Sequence, residues 1–442
     1  MGRRATALAV GLALLGAACG SHPSSDQSPG GVRTPRPTSS PSPSPGGNGD
    51  EPWAEDIDYL IEQMEFLHPD LYHGVSKAEL DEAARSLAKE APAMLEEQIL
   101  VGLMHLVALV SSRGRDGHMG IWPPDNPDKV GRYPIRVWEF SDGLFVTASR
   151  APNADLVGTR LTAIDGMPID QVLRRLDPVV PRDNDSNLRA ARSVFLTSAE
   201  VLSGLGIATD HAQIEVEVAE PGRAARTATI EAVDAATFAE WVSGWELMLP
   251  PRDDMLLFED PTKDHWIRYI QREHALYVQY NEVLPESSNV VEDVRAGLSS
   301  HHDVERIVLD LRNNGGGEAE GYRQLLVFLA DREPHLPGGL SILVGRLTFS
   351  AGSSFVAEIE PRMPEAVVVG EATGGAPNYW ADVESVTMPN SGLKALVSTT
   401  YEGYGLPNDP RLTIEPDLSV DVSSDDYFSS RDPVLDAALA MP

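Results

Sequence analysis

Hydrophobic positions recur at helical spacing in the first patterned part of the chain. One apolar stripe is formed by Ile57, Leu60, Ile61, Met64 and Leu67. The sequence HPDLY ends this helix, and Ser76 with Glu79 forms a capping-box pattern for a second helix that extends to about Lys89. A third helix, apolar on nearly all sides, is predicted for residues 95–110. We therefore predict a helical subdomain over residues 51–125 that ends with the segment DGH.

The hydrophobic period then changes from helical to strand-like. The runs YPIRVWEF, GLFVTAS, TRLTAIDG and AQIEVEVAE are bounded by Gly, Asp and Pro, and they predict a small β-rich domain over residues 130–234. Residues 235–265 are interpreted as a connecting loop. Strands and helices alternate over residues 266–425, which predicts an α/β layer fold with a largely parallel sheet. Residues 426–442 are interpreted as a C-terminal tail.

The N-terminus has the pattern of an export signal. Arg3 and Arg4 precede an apolar run from Ala5 to Leu15 and then small residues, which is typical of a secretory signal over residues 1–18. The small residues before Cys19 resemble the lipobox of bacterial lipoproteins, which implies a diacylated cysteine and a lipid anchor to the membrane. The alternative is a secreted protein without lipidation. Residues 19–50 are rich in Ser, Pro and Gly and predict an unfolded tether.

Composition narrows the classes of partner and chemistry. The 442 residues include 35 Lys plus Arg against 67 Asp plus Glu, and the resulting net charge of −32 argues against nucleic acid as a partner. Cys19 is the only cysteine. Disulfides, thiolate catalysis and a cysteine zinc site are therefore excluded from the folded part of the chain.

Ser350 lies in RLTFSAGSSF, where an apolar strand is followed by a helical pattern. A serine at this position is most often an N-cap whose hydroxyl accepts a hydrogen bond from the first helical turn. The same geometry also suits a nucleophile, because the free N–H groups of a helix N-terminus can stabilise an oxyanion. Position alone leaves both interpretations open.

Three glycines, Gly315, Gly316 and Gly317, follow the strand IVLDLRNN and precede a helix. Such a run usually forms a tight turn, because glycine tolerates positive φ. It could also expose N–H groups to a phosphate or an oxyanion. No lysine follows at P-loop spacing, which disfavours phosphate.

The motifs DLRNNGGG, TFSAGSSF and VVVGEATGG, in this order, resemble the core of the tail-specific (C-terminal-processing) serine peptidases. The resemblance implies a ClpP/crotonase-like core, with an N-terminal helical subdomain and a small β-rich PDZ-like domain. The segment LVGTRLTAIDGMPIDQVLRRL is itself similar to part of a PDZ domain. The resemblance makes Ser350 the nucleophile, and it assigns the oxyanion hole to Gly316 or Gly317 together with Ala351.

The general base departs from the Ser-Lys branch of this family, because Ala376 stands where that branch has its lysine. The resemblance is closer to the tricorn-like branch, which implies His118 of DGH as the base. Imidazole has a suitable intrinsic pKa for this role. Gly117 stands where tricorn-type proteins have a serine, so that polar group is missing or comes from elsewhere. Asp409 is our choice for the acidic residue that orients the base.

Asp116 and Glu371 are the alternatives for that acidic role. The motifs of other classes are missing. HExxH of zinc metalloproteases and GxSxG of α/β-hydrolases are absent. DNDSN, residues 183–187, lacks the glycine and the distal glutamate of a calcium-binding loop. We therefore predict a cofactor-independent serine peptidase that acts on extracytoplasmic peptides or proteins. The alternative is a catalytically silent binding protein on the same scaffold, for peptides or lipophilic ligands. The sequence leaves the oligomeric state open.

Overall fold

The computed structural model describes residues 52–123, 131–220, 222–241, 249–250, 252, 254–285, 289–404 and 409–441. The predicted signal, the lipidation site Cys19 and the tether lie outside the described residues. The described part contains no helix that is long and apolar enough to cross a membrane.

The described residues form twelve α-helices. They are α1 (Pro52–Leu67), α2 (Lys77–Glu90), α3 (Glu96–Gly114), α4 (Ile169–Leu176), α5 (Asp185–Phe195), α6 (Ala199–Gly204), α7 (Ala235–Trp241), α8 (Val290–Ser300), α9 (Arg323–Arg332), α10 (Ala351–Arg362), α11 (Ser424–Phe428) and α12 (Pro433–Leu439).

Sixteen strands accompany these helices in the described part. They are β1 (Gly131–Arg132), β2 (Ile135–Phe140), β3 (Gly143–Ser149), β4 (Arg160–Ile164), β5 (Met167–Pro168), β6 (Gln213–Ala219), β7 (Arg226–Glu231), β8 (Val233–Asp234), β9 (His265–Ile270), β10 (Ala275–Tyr280), β11 (Arg306–Asp310), β12 (Leu340–Val344), β13 (Val367–Gly370), β14 (Asn378–Thr387), β15 (Lys394–Gly403) and β16 (Leu418–Ser419).

Two large sheets organise the molecule. The first is antiparallel with the order β2-β3-β4-β6-β7, and β5 pairs with β4. The second has the order β16-β13-β12-β11-β10-β9 and is parallel except for the antiparallel edge strand β9. A long hairpin, β14-β15, and the short pair β1-β8 complete the strands. The mixed α/β class and the largely parallel sheet predicted from the sequence are confirmed.

The N-terminal helices follow the predicted pattern closely. Helix α2 begins with the expected capping box of Ser76 and Glu79, and α3 buries residues on most of its circumference. These helices share one continuous apolar core with the first sheet and the β14-β15 hairpin. Leu60, Leu103 and Val397, for example, are all buried in it. The helical subdomain therefore packs directly against the hairpin that follows Ala376.

The parallel sheet is covered on both faces, as buried parallel strands require. Leu276 and Val278 of β10 face the core that contains α8, α9 and α10, whereas Ala275 and Tyr277 face the opposite side. Helix α12 covers that opposite side. Residues 426–442, interpreted from sequence as a tail, thus include a helix that completes the core. The predicted connecting segment 235–265 likewise begins with a helix, α7.

A buried ion-pair network ties this C-terminal segment to the strand that precedes the glycine turn. Arg312 donates to Asp310 (Nη2 to Oδ2, 2.6 Å) and binds Asp432 through two further bonds of 2.7 Å. The hydroxyl of Tyr277 also donates to Asp310 at 2.7 Å. Buried charges need such partners. The DLR motif is therefore explained by structure and needs no catalytic role.

Candidate active site

Ser350 stands directly before α10 in a backbone conformation that is unusual for a residue other than glycine. Its φ is 50° and its ψ is −126°, and its hydroxyl makes no capping hydrogen bond to the helix. Strained conformations of this kind cluster at functional sites. The N-cap interpretation of this serine is therefore wrong, because the bond that defines a cap is not formed.

The turn that carries Ser350 is held by polar contacts with the glycine turn. The N–H of Phe349 donates to the carbonyl oxygen of Asn314 at 3.0 Å, and the Asn314 amide donates to the carbonyl oxygen of Tyr280 at 2.8 Å. Thr348 donates its hydroxyl to the carbonyl oxygen of Leu311 at 2.8 Å. Strand ends β10, β11 and β12 thus fix the position of the serine.

Gly316 lies against Ser350 and has no room for a side chain. Its φ is 114°, and a Cβ there would stand 2.7 Å from the Cβ of Ser350 and 3.1 Å from the N atom of Ala351. Both the backbone conformation and the close approach therefore require glycine. The predicted proximity of the glycine turn to the serine is present in the structure.

The N–H groups around Ser350 differ in availability. The N–H of Gly316 donates to Oδ1 of Asn314 at 3.0 Å, so it is already used. The N–H groups of Gly317 and Ala351 make no hydrogen bond to another described residue. Unpaired N–H groups at a helix start are the donors that an oxyanion needs. Of the two glycines proposed from sequence, Gly316 lies closer to Ser350, whereas Gly317 is the one whose N–H makes no hydrogen bond to a described residue.

His118 is buried against two aromatic residues, Phe349 and Tyr379, that adjoin Ser350. Its ring lies 4.5 Å from the ring of Phe349 and is stacked on Tyr379 at 5.3 Å with an interplanar angle of 11°. The hydroxyl of Tyr379 bonds to Ser354 Oγ at 2.7 Å and also interacts with the hydroxyl of Ser350. The chain therefore brings His118, from the end of the helical subdomain, into the neighbourhood of Ser350, more than 200 residues away in sequence.

Both ring nitrogens of His118 are buried without a hydrogen-bond partner among the described residues. The bond between base and nucleophile is therefore not made in this arrangement. Burial lowers the pKa of His118 to about 4, and the nearby charges of Asp116 and Asp382 oppose this shift. The imidazole is consequently neutral at pH 7 and able to accept a proton.

The three acidic residues considered from sequence have separate surroundings. Asp409 is held by the guanidinium of Arg411, with Nη2 and Oδ2 2.8 Å apart, and this pairing lowers the pKa of Asp409. Glu371 is paired with Arg346 in the same way. The structure thus pairs Asp409 with Arg411 and not with His118. The favoured assignment of Asp409 as the acidic orienter gains no support from the geometry.

Asp116 lies near His118, but its oxygens have other partners. Oδ1 accepts from the hydroxyl of Ser398 at 2.8 Å and from the N–H of Met119 at 3.0 Å. Oδ2 lies 3.3 Å from Nε2 of His68, whose Nδ1 accepts from the N–H of Asp70. Nε2 of His68 therefore carries the proton and donates to Asp116. The HPDLY loop thus fixes the residue two positions before His118.

A residue that sequence reasoning did not assign to the site also contacts the His118 loop. Asp183, fully buried, accepts from the N–H of Gly117 through Oδ1 at 2.5 Å, and it also accepts from the N–H of Ala376. Burial raises its pKa to about 8. From the sequence, its segment DNDSN was considered only as a calcium-binding loop and was rejected. The available signal was its run of five consecutive polar residues.

Comparison with solved structures identifies the architecture. The mature form of CPAF matches with a TM-score of 0.58 and 14% identity, over 86% of this chain and 94% of that chain. CPAF in complex with lactacystin matches with a TM-score of 0.57 and 14% identity, over 86% and 95%. This chain has the CPAF fold. The tail-specific protease resemblance seen in the motifs is confirmed at the level of the fold.

The other comparisons give weaker similarity or no match. The photosystem II D1 C-terminal processing protease is also among the neighbours, with a TM-score of 0.39 and 13% identity, over 84% of this chain and 93% of that chain. No family profile matches the sequence, and no curated protein matches it. CPAF-like architecture is therefore established through structure, while the assignment of chemistry depends on the residues around Ser350.

Proposed function

We propose that this chain is a serine peptidase in which Ser350 is the nucleophile and His118 is the general base. The observation that carries the proposal is the strained, uncapped serine between the glycine turn and a helix N-terminus. A residue that served only as the N-cap of α10 would form the cap hydrogen bond and would not need a φ of 50°. The resemblance to tail-specific peptidases and the CPAF-like fold support the same assignment.

In the proposed reaction the Ser350 hydroxyl attacks the scissile carbonyl carbon and gives its proton to His118. His118 then returns that proton to the leaving amine, and a water molecule repeats the sequence on the acyl-enzyme. The N–H groups of Gly317 and Ala351 stabilise the tetrahedral oxyanion. Since His118 does not bond to Ser350 in the resting arrangement, the ring must turn toward the hydroxyl when substrate binds.

The rest of the architecture has proposed roles that follow from the resemblance. We assign a PDZ-like role in substrate capture to the antiparallel sheet over residues 130–234, and a ClpP/crotonase-like role to the parallel-sheet core. An extended substrate would then add to a sheet edge or lie in a groove, where backbone hydrogen bonds bind it with little dependence on sequence. The substrates are peptides or proteins outside the cytoplasm.

Membrane attachment belongs to the same proposal. Export, cleavage before Cys19 and diacylation would place the folded part at a membrane surface on the tether of residues 19–50. Cys19→Ala should release the protein from the membrane fraction or leave it unprocessed. The mass of the intact exported protein reports the result, and an unmodified Cys19 would contradict lipidation.

A catalytically silent binding protein is the second candidate, and one observation favours it. The two nitrogens of His118 have no partner among the described residues, so the resting geometry alone does not form a Ser-His pair. Peptide hydrolysis by the parent protein and by Ser350→Ala separates the two functions. Turnover that disappears with the serine supports the peptidase, whereas a folded parent that binds peptides without cutting them supports the silent protein.

A further inference from the structure

Asp183 connects the two loops that flank Ser350. Its Oδ1 accepts from the N–H of Gly117, one residue before the proposed base, and the carboxyl also accepts from the N–H of Ala376. Ala376 is the position at which the Ser-Lys branch of the tail-specific peptidases, from which this chain departs, has its lysine. One carboxyl group therefore contacts both the His118 loop and the loop that would otherwise supply a different base.

The space beside Gly117 belongs to the same segment. A Cβ on Gly117 would stand 2.9 Å from the N atom of Asp183 and 3.0 Å from each of Asp183 Oδ1 and Asn187 Oδ1. A serine at position 117 could not be accommodated without moving this segment. Tricorn-type proteins have a serine before this histidine. In this chain Asp183 and Asn187 occupy the space that the serine side chain would need.

Several buried hydrogen-bonding atoms of His118 and Asp183 have no partner in the described part of the chain. Oδ2 of Asp183 and both ring nitrogens of His118 are buried without a partner among the described residues. Asp183 is not solvent-exposed, and His118 retains only 3% of its exposed surface. Buried polar atoms are almost always bonded, and exceptions are found at functional sites. An acceptor and a potential donor therefore lie unpaired on adjacent segments.

Other acids are less suited to pair with His118. Both oxygens of Asp116 are already bonded, to Ser398, Met119 and His68. Asp409 is bound by Arg411. Asp382 is exposed on β14 and acts on His118 only as a nearby charge. Among these acids of the described part of the chain, only Asp183 combines burial, a hydrogen bond to the loop of His118 and an oxygen, Oδ2, that has no partner among the described residues.

We propose that Asp183 is the positioning residue that orients His118, with its carboxylate Oδ2 accepting the ring N–H while the other ring nitrogen faces Ser350. This inference deepens the proposed function and rests on it. When Ser350 transfers its proton, the imidazolium keeps both N–H bonds and Asp183 keeps its negative charge, so no proton passes to the carboxylate. Asp183 must be ionised to act in this way, because a protonated carboxyl would donate to the ring and occupy the nitrogen that has to accept.

Asp183 also links the site to the part of the chain that contains the antiparallel sheet. The next residue, Asn184, donates to the carbonyl oxygens of Thr373, Gly374 and Leu412, and its Oδ1 caps α5 by accepting from Asn187. Residues 183 and 184 therefore join α5 to both catalytic loops. A displacement of α5 when the antiparallel sheet binds a substrate would move Asp183 relative to His118.

The test measures the pairing without requiring turnover. Histidine ring nitrogens are followed by NMR in Ser350→Ala protein, and the His118 signals are assigned by their loss in the Ser350→Ala/His118→Gln protein. We expect two steps in the His118 signals: its own protonation in acid, and a second step near pH 8, where Asp183 ionises and accepts the ring N–H. The other charges that face the pair are Arg115, Asp116 and Asp382.

Asp183→Asn is the decisive variant, because the amide keeps an oxygen for the N–H groups of Gly117 and Ala376 but cannot ionise. The upper step should vanish in Asp183→Asn. Above pH 8, where Asp183 of the parent is ionised, kcat/KM of the variant should be lower than that of the parent by on the order of 10²-fold or more, with little change in KM. Asn184→Ala is the matched control. It removes structural bonds on the same turn, so it should lower stability and leave the upper step in place.

The outcomes separate this inference from the proposed function. An upper step that is absent from the parent, or that persists in Asp183→Asn, would overturn the pairing whatever the activity. If Asp183→Asn does not fold, the parent and Asn184→Ala titrations still decide, since the step must be seen in both. A clear upper step in a protein that hydrolyses no peptide would retain the pairing and contradict the peptidase.

Discussion

Asp183→Asn should stabilise the folded protein at neutral and alkaline pH while it impairs the reaction. The ordinary pKa of an aspartic acid in an unfolded chain is about 3.9. Burial raises the pKa of Asp183 to about 8 in the folded protein. Between these values the folded state holds a proton that the unfolded state has lost, so stability falls as pH rises. An asparagine at this position does not titrate and carries no such penalty.

The size of the effect follows from the interval between the two pKa values. At pH 7 the pH lies about three units above the pKa of the unfolded aspartic acid. At about 1.36 kcal/mol for each unit, the free energy of unfolding is lowered by about 4 kcal/mol. It reaches its full value, about 5 to 6 kcal/mol, once the folded group is also ionised. The unpaired amide N–H of the variant should cost about 1 to 3 kcal/mol at every pH. The net gain is therefore largest above pH 8 and absent near pH 4.

Urea unfolding of the parent and of Asp183→Asn at pH 4, 7 and 9 measures this difference. The two stability curves should converge or cross in acid and separate in alkali, with the variant more stable. An equal loss of stability at all three pH values would refute the reasoning, because it would show that the carboxyl group serves only as a neutral acceptor. Asn184→Ala should show that pH-independent loss.

Four further outcomes are expected. Ser350→Ala should keep the unfolding midpoint of the parent, since no cap bond is lost, and should reduce peptide hydrolysis on the order of 10³-fold or more. A lower midpoint, of the size expected for a lost helix cap, together with retained hydrolysis would restore the N-cap interpretation. His118→Ala should reduce kcat/KM nearly as far, and its combination with Ser350→Ala should be little worse than either alone, whereas near-normal turnover would exclude it as the base. Asp409→Ala breaks the pair with Arg411 and should leave kcat/KM within about threefold, and a pH profile altered like that of Asp183→Asn would return Asp409 to the role of orienter. Gly316→Ala should abolish labelling of Ser350 by a serine-reactive probe, because its Cβ would stand 2.7 Å from the Cβ of Ser350; unchanged labelling would show that the turn is not part of the site.

Local sequence patterns predicted those parts of the fold that depend on local interactions. The apolar stripe of α1, the capping box of Ser76 and the alternation of strands with helices all have a short-range physical cause, and each is present in the structure. Residues 433–439 were missed as a helix that completes the core. Their apolar residues pack on the far face of the parallel sheet, and their N-cap, Asp432, is held by Arg312, a contact over 120 residues that no local pattern contains.

The candidate site was predictable where motifs carry the chemistry and not where tertiary contacts do. The motifs selected Ser350 and His118, and the fold brings both to one place. The choice of Asp409 failed to gain support because Arg411, two residues away, is its nearest cation and takes up its charge. Asp183 was not found, since its significance arises from the N–H groups of Gly117 and Ala376, which only the folded chain places around it.

The role of Ser350 as a nucleophile is tested most directly by covalent labelling with a fluorophosphonate probe, followed by intact mass and peptide mapping. We expect a single adduct on Ser350 of the folded parent, none on Ser350→Ala, and slow labelling of His118→Ala, because the base that activates the hydroxyl is missing. A folded parent that acquires no adduct, or acquires one on another residue, would contradict the assignment of this chain as a serine peptidase.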